Sequence, residues 1–156
     1  MGGVDPRSKE LEGVKGWLLL LCVSLAILDP LTVIFSVFLA APSAGPYLDQ
    51  HPEYFRMILV SGICRIGLMV GSLYAGLSLW RVAPGAVAAA RRYMAALFLY
   101  SVFSLFLPGL VGVSEARYPG TGSSNSVNAA FTMAYIAVWY LYLSRSRRVR
   151  ATYHDR

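Results

Sequence analysis

Few residues in this chain are placed to do chemistry, and the first is Asp29, set before Pro30 in the apolar stretch SLAILDPLTVIF. It is the only formally charged residue between Trp17 and Ala41. A carboxylate in hydrocarbon costs about 2.5 to 3.5 kcal/mol on insertion scales, so its presence points to a task such as holding an ion or a lipid headgroup. Its expected counter-charge is Arg65. At ~1.5 Å per helical residue, Asp29 lies roughly 18 Å from a boundary at Trp17, and Arg65 roughly 12 Å from an opposite boundary at Met57. In a ~30 Å layer the two share one level. Helices joined by a short loop are usually neighbours, so an Asp29–Arg65 salt bridge is expected.

Proline lacks an amide hydrogen and disfavours helical geometry in the residue before it. The first helix is therefore expected to kink or break at Asp29–Pro30. Asp29 would cap the amides of Leu31 or Thr32, with Pro30 in the first position of the restarted helix. Asp49, His51 and Glu53 share the stretch APSAGPYLDQHPEYF with Pro52. With one histidine among them, a solvated loop is expected rather than a metal site. There is no nucleophile with a nearby base, no phosphate loop, no paired catalytic carboxylates and no paired-cysteine site, so no enzyme, metal or cofactor is expected.

The elements that must position these residues are set by hydrophobicity. The 156 residues are 56% hydrophobic and 14% charged, and four apolar runs, 17–41, 57–80, 93–113 and 127–143, are each about the length that crosses a bilayer as a helix. The expected fold class is an all-α integral membrane protein: four transmembrane helices in an antiparallel bundle, in one domain with short tails at 1–16 and 144–156. Lys and Arg collect on the cytoplasmic side. Arg7, Lys9, Lys15, Arg81, Arg91, Arg92, Arg145, Arg147, Arg148, Arg150 and Arg156 all fall on one side of such a bundle, against Arg56 and Arg117 on the other. Both ends of the chain are thus expected in the cytoplasm. Trp17, Trp80, Tyr93, Trp139, Tyr140 and Tyr142 fall near that boundary, and Tyr47, Tyr54 and Tyr118 near the opposite one, as interfacial aromatics do.

The first run is too long for the core of a cleaved signal peptide, and Asp29–Pro30 would interrupt one. Cys22 and Cys64 lie toward opposite boundaries, farther apart than the ~7 Å between Cα atoms that a disulfide allows. They read as packing residues. The net charge of +6 is what topology alone produces, and no nucleic-acid recognition fold accompanies it. Arg145, Arg147, Arg148 and Arg150 sit where anionic lipid headgroups would be.

Helical spacing groups the polar residues on inward faces. Asp29, Thr32 and Ser36 share one side of the first helix. Ser61, Arg65, Ser72 and Gly76 follow helical spacing in the second, and Ser101, Ser104 and Pro108 in the third. Asn125, Asn128, Thr132, Tyr135, Trp139 and Tyr142 form a stripe on the fourth. Asp29, Arg65, Asn128, Thr132 and Tyr135 make up the candidate intramembrane polar site. Gly67 and Gly71, extended by Ala75, let another helix approach closely, either within the bundle or from a second copy of the chain. Pro108–Gly109 is expected to bend the third helix, and SEARYPGTGSSNS has the composition of a flexible loop.

Gly16-Trp17-Leu18-Leu19-Leu20 opening the first helix, with a proline about halfway along, resembles the bacterial membrane-protein family catalogued as domain of unknown function 2569. The end of the chain resembles that family's closing pattern: an aromatic-rich helix, then Ser146, Arg147, Arg148-Val149, Arg150, Thr152 and Tyr153. Trp80 with Pro84 shortly after is similar to its middle section. The likeness covers most of the chain. It departs at Asp29, a carboxylate not associated with the family generally. The resemblance implies four helices, a bacterial inner-membrane location and no known activity. Two functions are expected from different classes. One is a non-catalytic accessory or assembly subunit that meets other membrane proteins through its helices. The other is a small transporter or lipid-binding protein with a polar intrabilayer site around Asp29 and Arg65.

Overall fold

The structure is a computed structural model of the chain, describing residues 16–48, 52–113 and 121–153. Asp49, His51, Arg117 and the segment 1–15 lie outside the described residues, as do the side chains of Arg147 and Arg148. The helices are α1 (Trp17–Val23), a π-helical turn (Ser24–Leu28), α2 (Asp29–Leu48), α3 (Pro52–Trp80), α4 (Ala86–Val111), α5 (Thr121–Arg145) and α6 (Arg147–Tyr153). Among the described residues four stretches are long and apolar enough to span a membrane: Trp17–Leu39, Pro52–Trp80, Ala86–Val111 and Ser123–Arg145. Among the described residues there is no strand.

Where a kink or break is expected at Asp29–Pro30, the helix does not break; a π-helical turn immediately precedes Asp29 and helix continues through Pro30. In an α-helix the Asp29 amide would donate to the Leu25 carbonyl; here it donates to Ser24, one residue further back. The next amide able to serve Leu25 would be that of Pro30, which has no hydrogen. The carbonyl so orphaned accepts from Ser72 Oγ of α3 at 2.5 Å. Helical backbone then continues, with Asp29 at φ −60° and ψ −50°. Asp29 is therefore not an N-cap, because its own conformation is helical and a cap residue's is not. Its carboxylate is left to bond across the bundle.

Contacts between neighbouring helices pair rising residue numbers with falling ones. Asp29 meets Ser72 while Ser36 meets Arg65; Gly71 meets Tyr93 while Arg65 meets Tyr100; Ser101 bonds Ala129 while Ser104 bonds Asn125. This is the pattern of helices that run in opposite directions. A Cβ on Gly76 would lie 2.7 Å from the Ala26 amide nitrogen, so the close approach of the first two spans requires glycine there. Of the small residues expected to serve that purpose, Ala75 is buried, Gly71 faces the Tyr93 ring, and a Cβ added to Gly67 would meet nothing within 4 Å among the described residues.

The core occupies one half of the bundle. Leu18, Leu21, Cys22, Leu25, Leu79, Ala90 and Met94 are fully buried there, and Ile136, Trp139 and Leu143 of α5 close over them. This is the basic end, since Arg81, Arg91, Arg92 and Arg145 adjoin it. Extended backbone contact joins the first span to the second, the second to the third and the third to the fourth, and among the described residues it does not join the fourth back to the first. Those two meet through Trp17 and Trp139, whose rings are 6.4 Å apart, and through Ser24 and Tyr135. The bundle is packed at the basic end and open in its other half.

Local caps finish the helices. Val113 donates to Pro108 and Gly112 to Gly109, with Gly112 left-handed at φ 80°, the glycine-terminated motif that closes many helices. Helix α4 thus runs past Pro108 before it ends. The end of α3 repeats the same pair of bonds, Ala83 to Ser78 and Val82 to Leu79, with Val82 in the left-handed position at φ 50°. Beyond α5, the Val149 amide donates to Ser146 Oγ, capping α6. Val149 is buried and Tyr153 Oη donates to the Leu79 carbonyl at 2.6 Å, which ties α6 to the base of the bundle.

Candidate intramembrane binding site

The π-helical turn rotates Asp29 toward α3 and α4. Tyr93 Oη donates to Asp29 Oδ2 at 2.8 Å, and Ser72 Oγ lies 3.1 Å from the same oxygen. Ser72 has one hydrogen, shared between the Leu25 carbonyl and the carboxylate. Among the described residues the hydrogen bonds to this carboxylate all fall on Oδ2. Tyr135, expected in the site, hydrogen-bonds Ser24 Oγ at 2.7 Å and packs edge-on against Trp139. It closes the floor beneath Asp29.

The expected Asp29–Arg65 salt bridge is not formed; among the described residues there is no ion pair within the bundle. Arg65 Nε lies 3.3 Å from Tyr100 Oη, and Nη1 lies 3.4 Å from Ser36 Oγ. The reason is register. Asp29 is level with Ser72, and Arg65 precedes Ser72 by seven residues in α3, about 10 Å nearer the far end of the bundle. Counting inward from Met57 missed this because α3 begins at Pro52 and α2 runs on to Leu48, so Met57 does not mark a boundary.

Asp29 and Arg65 nevertheless line the same cavity, of about 630 Å3. Its walls also carry the candidate residues Asn128, Thr132 and Tyr135, together with Tyr93 and Tyr100. The Thr132 hydroxyl is satisfied by the Asn128 carbonyl at 2.8 Å. Among the described residues no hydrogen bond engages the Asn128 side chain. Asn125 Nδ2 reaches the Ser104 carbonyl at 3.4 Å near the far end. The cavity therefore has an acidic floor near the middle of the spans, a basic station about 10 Å above it and amides beside its mouth. Such an arrangement can bind a molecule with both charged and apolar parts.

The sequence stripes contain Ser72, yet its service to an orphaned carbonyl depends on a π-helical turn that residue spacing does not reveal. Tyr93 reads from sequence as an interfacial aromatic, and the structure turns its hydroxyl inward to Asp29. Tyr100 carries no sequence signal beyond its place in an apolar run. At the basic end, the Arg91 guanidinium lies 3.4 Å from the Leu143 carbonyl and that of Arg150 lies 3.5 Å from the Arg145 carbonyl. These cations meet the free carbonyls at the end of α5, as the helix dipole favours.

A family model described as "Protein of unknown function (DUF2569)" matches residues 11–154. No curated protein and no solved structure matches the chain.

Proposed function

We propose a function from the geometry of the cavity, since the chain belongs to the DUF2569 family of proteins of unknown function. The protein is a non-catalytic integral membrane protein that binds an amphiphilic molecule between its helices, as a small transporter or lipid-handling protein. One observation carries this reading: Asp29 and Arg65 face one cavity and do not neutralise each other. Charged residues kept at such depth are costly and typically mark a binding site or pathway, and a ligand touching both offsets that cost. The clustering of Arg81, Arg91, Arg92, Arg145 and Arg150 supports a cytoplasmic basic end in a bacterial inner membrane, with the cavity opening in the outer half. At the cytoplasmic end the basic cluster also favours anionic headgroups.

The test is mild extraction from the native membrane, followed by identification of attached lipids and small molecules by mass spectrometry. Wild-type protein is expected to retain an amphiphile that Asp29→Asn and Arg65→Gln lose. An identical set of attached molecules in all three proteins counts against the reading.

The accessory-subunit reading stands second. It is favoured by Gly62 and Gly67 of α3, where an added Cβ would meet nothing within 4 Å, leaving a notch that no described residue of the chain fills. A partner protein or second copy that co-purifies with wild type and is lost in Gly67→Leu would support it.

A further inference from the structure

The geometry points to a zwitterionic aminophospholipid as the molecule the cavity takes, entering sideways between the first and fourth spans with its phosphate on Arg65 and its ammonium on Asp29. This assignment rests on the cavity reading given above. Three observations lead to it.

The first is depth. Ser36, level with Arg65, is nineteen residues beyond Trp17, and Arg65 itself is fifteen residues from Trp80. At ~1.5 Å per residue these place the guanidinium roughly 22 to 28 Å from the basic boundary of a ~30 Å layer. Arg65 thus lies just beneath the far headgroups, where lipid phosphates are. Its contacts to Ser36 and Tyr100 use Nη1 and Nε, leaving Nη2 and the second hydrogen of Nη1 for a phosphodiester, the planar partner that arginine suits.

The second is spacing. The carboxylate of Asp29 is about 10 Å deeper, with its Oδ1 without a hydrogen bond among the described residues. One guanidinium-to-phosphate contact, the two-carbon arm of an ethanolamine and one ammonium-to-carboxylate contact together bridge a gap of that order. Tyr93 beside Asp29 and Tyr100 beside Arg65 line the space between, and aromatic faces attract a cation.

The third is the doorway. Thr32 and Val33 on the first span, and Phe131 and Thr132 on the fourth, all line the cavity, and Phe131 is 73% exposed. Because these two spans lack extended backbone contact, the cavity opens sideways toward lipid. Acyl chains can stay in the bilayer while the headgroup turns inward.

The experiment measures retention on the full chain by native mass spectrometry in detergent. The probes are dioctanoyl phosphatidylethanolamine, dioctanoyl phosphatidylglycerol, free O-phosphoethanolamine and dodecylamine. Wild type is expected to hold the ethanolamine lipid at least tenfold more tightly than the glycerol lipid. Asp29→Asn should erase that preference, and Arg65→Gln should weaken both lipids at least tenfold. Thr132→Trp, which narrows the doorway without touching either charge, should reduce lipid retention and keeps the test decisive if a charge variant fails to fold. Equal retention of the two lipids by wild type overturns the assignment, as does an unaffected Thr132→Trp protein. Free O-phosphoethanolamine binding as tightly as the lipid would place the source in solution and also overturn it. Asp29-dependent binding of dodecylamine with no binding of the ethanolamine lipid overturns the phospholipid assignment while leaving the cavity reading standing. Binding of no probe defeats both.

Discussion

Ser72 Oγ lies 2.5 Å from the Leu25 carbonyl, so a hydroxyl on one span closes the hydrogen bond that Pro30 withholds on another. A carbonyl left bare in hydrocarbon is costly, and measured side-chain hydrogen bonds in membranes are worth about 0.6 to 1.7 kcal/mol. Ser72→Ala is expected to lower stability by about 1 kcal/mol. In a Pro30→Ala background, where residue 30 regains its amide hydrogen, the same change should cost clearly less. Unfolding of the two single variants and the double variant in mixed micelles measures the difference. Equal costs in both backgrounds would show that Ser72 does not replace the proline's missing donor.

The glycine that allows this contact is Gly76. A Cβ there would press on the Ala26 backbone, nearest atom 2.7 Å, and a backbone in a helical turn cannot yield as a flexible side chain can. Gly76→Ala is expected to cost about 1 to 3 kcal/mol through overpacking, visible as a lowered melting temperature. Gly67→Ala, which meets open space, should stay within about 0.5 kcal/mol of wild type. Similar losses in both variants would contradict the packing described.

Four spans and their polar stripes can be read from hydrophobic run length and helical spacing, because a bilayer imposes both on any chain that crosses it. Register could not be read in that way. Placing Arg65 level with Asp29 required knowing where α2 ends and α3 begins, and the stretch around Tyr47 to Phe55 reads as polar loop although helix continues to Leu48 and resumes at Pro52. An error of a few residues there slides one helix past the other by a turn or more. The proline signal was legible as a disruption, but its form was not: a break and a π-helical turn both answer a missing amide hydrogen. The choice between them depends on Ser72, distant in sequence.

Val82 occupies a left-handed position at φ 50°, where a β-branched residue is strained and glycine is not. Val82→Gly is expected to raise stability by about 1 kcal/mol, checked by thermal unfolding. No gain, or a loss, would show that the Val82 side chain contributes packing that outweighs its backbone strain.

Burial, reinforced by Cys22 and Tyr142, pushes the Tyr153 phenol well above its ordinary value of 10.0. A phenol raised on folding binds its proton more firmly in the folded state. Its contribution to stability is therefore complete below pH 10 and is lost as pH rises beyond that value toward the folded one. At pH 8, Tyr153→Phe should be less stable by about 1 kcal/mol, from loss of the bond to the Leu79 carbonyl. Above pH 10 the gap should narrow, because only wild type loses this contribution. Melting curves of both proteins between pH 8 and pH 11 decide the matter, and a constant gap would mean that Tyr153 is not held protonated by burial.

Asp29 and Arg65 stand about 10 Å apart along the bundle, each satisfied in part by different partners, Tyr93 and Ser72 for one and Ser36 and Tyr100 for the other. Sites so separated, with no partner in common, contribute to stability nearly independently. The effects of Asp29→Asn and Arg65→Gln in ligand-free protein should therefore add to within about 0.5 kcal/mol. A direct ion pair behaves otherwise: removing one member leaves an unpaired buried charge, and removing the second then relieves part of the loss. A coupling energy well above that margin in the double-mutant cycle would mean that the two charges meet. Additivity in the empty protein that gives way to coupling once ethanolamine lipid is added is the expected result, because a bridging ligand makes two independent sites answer to each other.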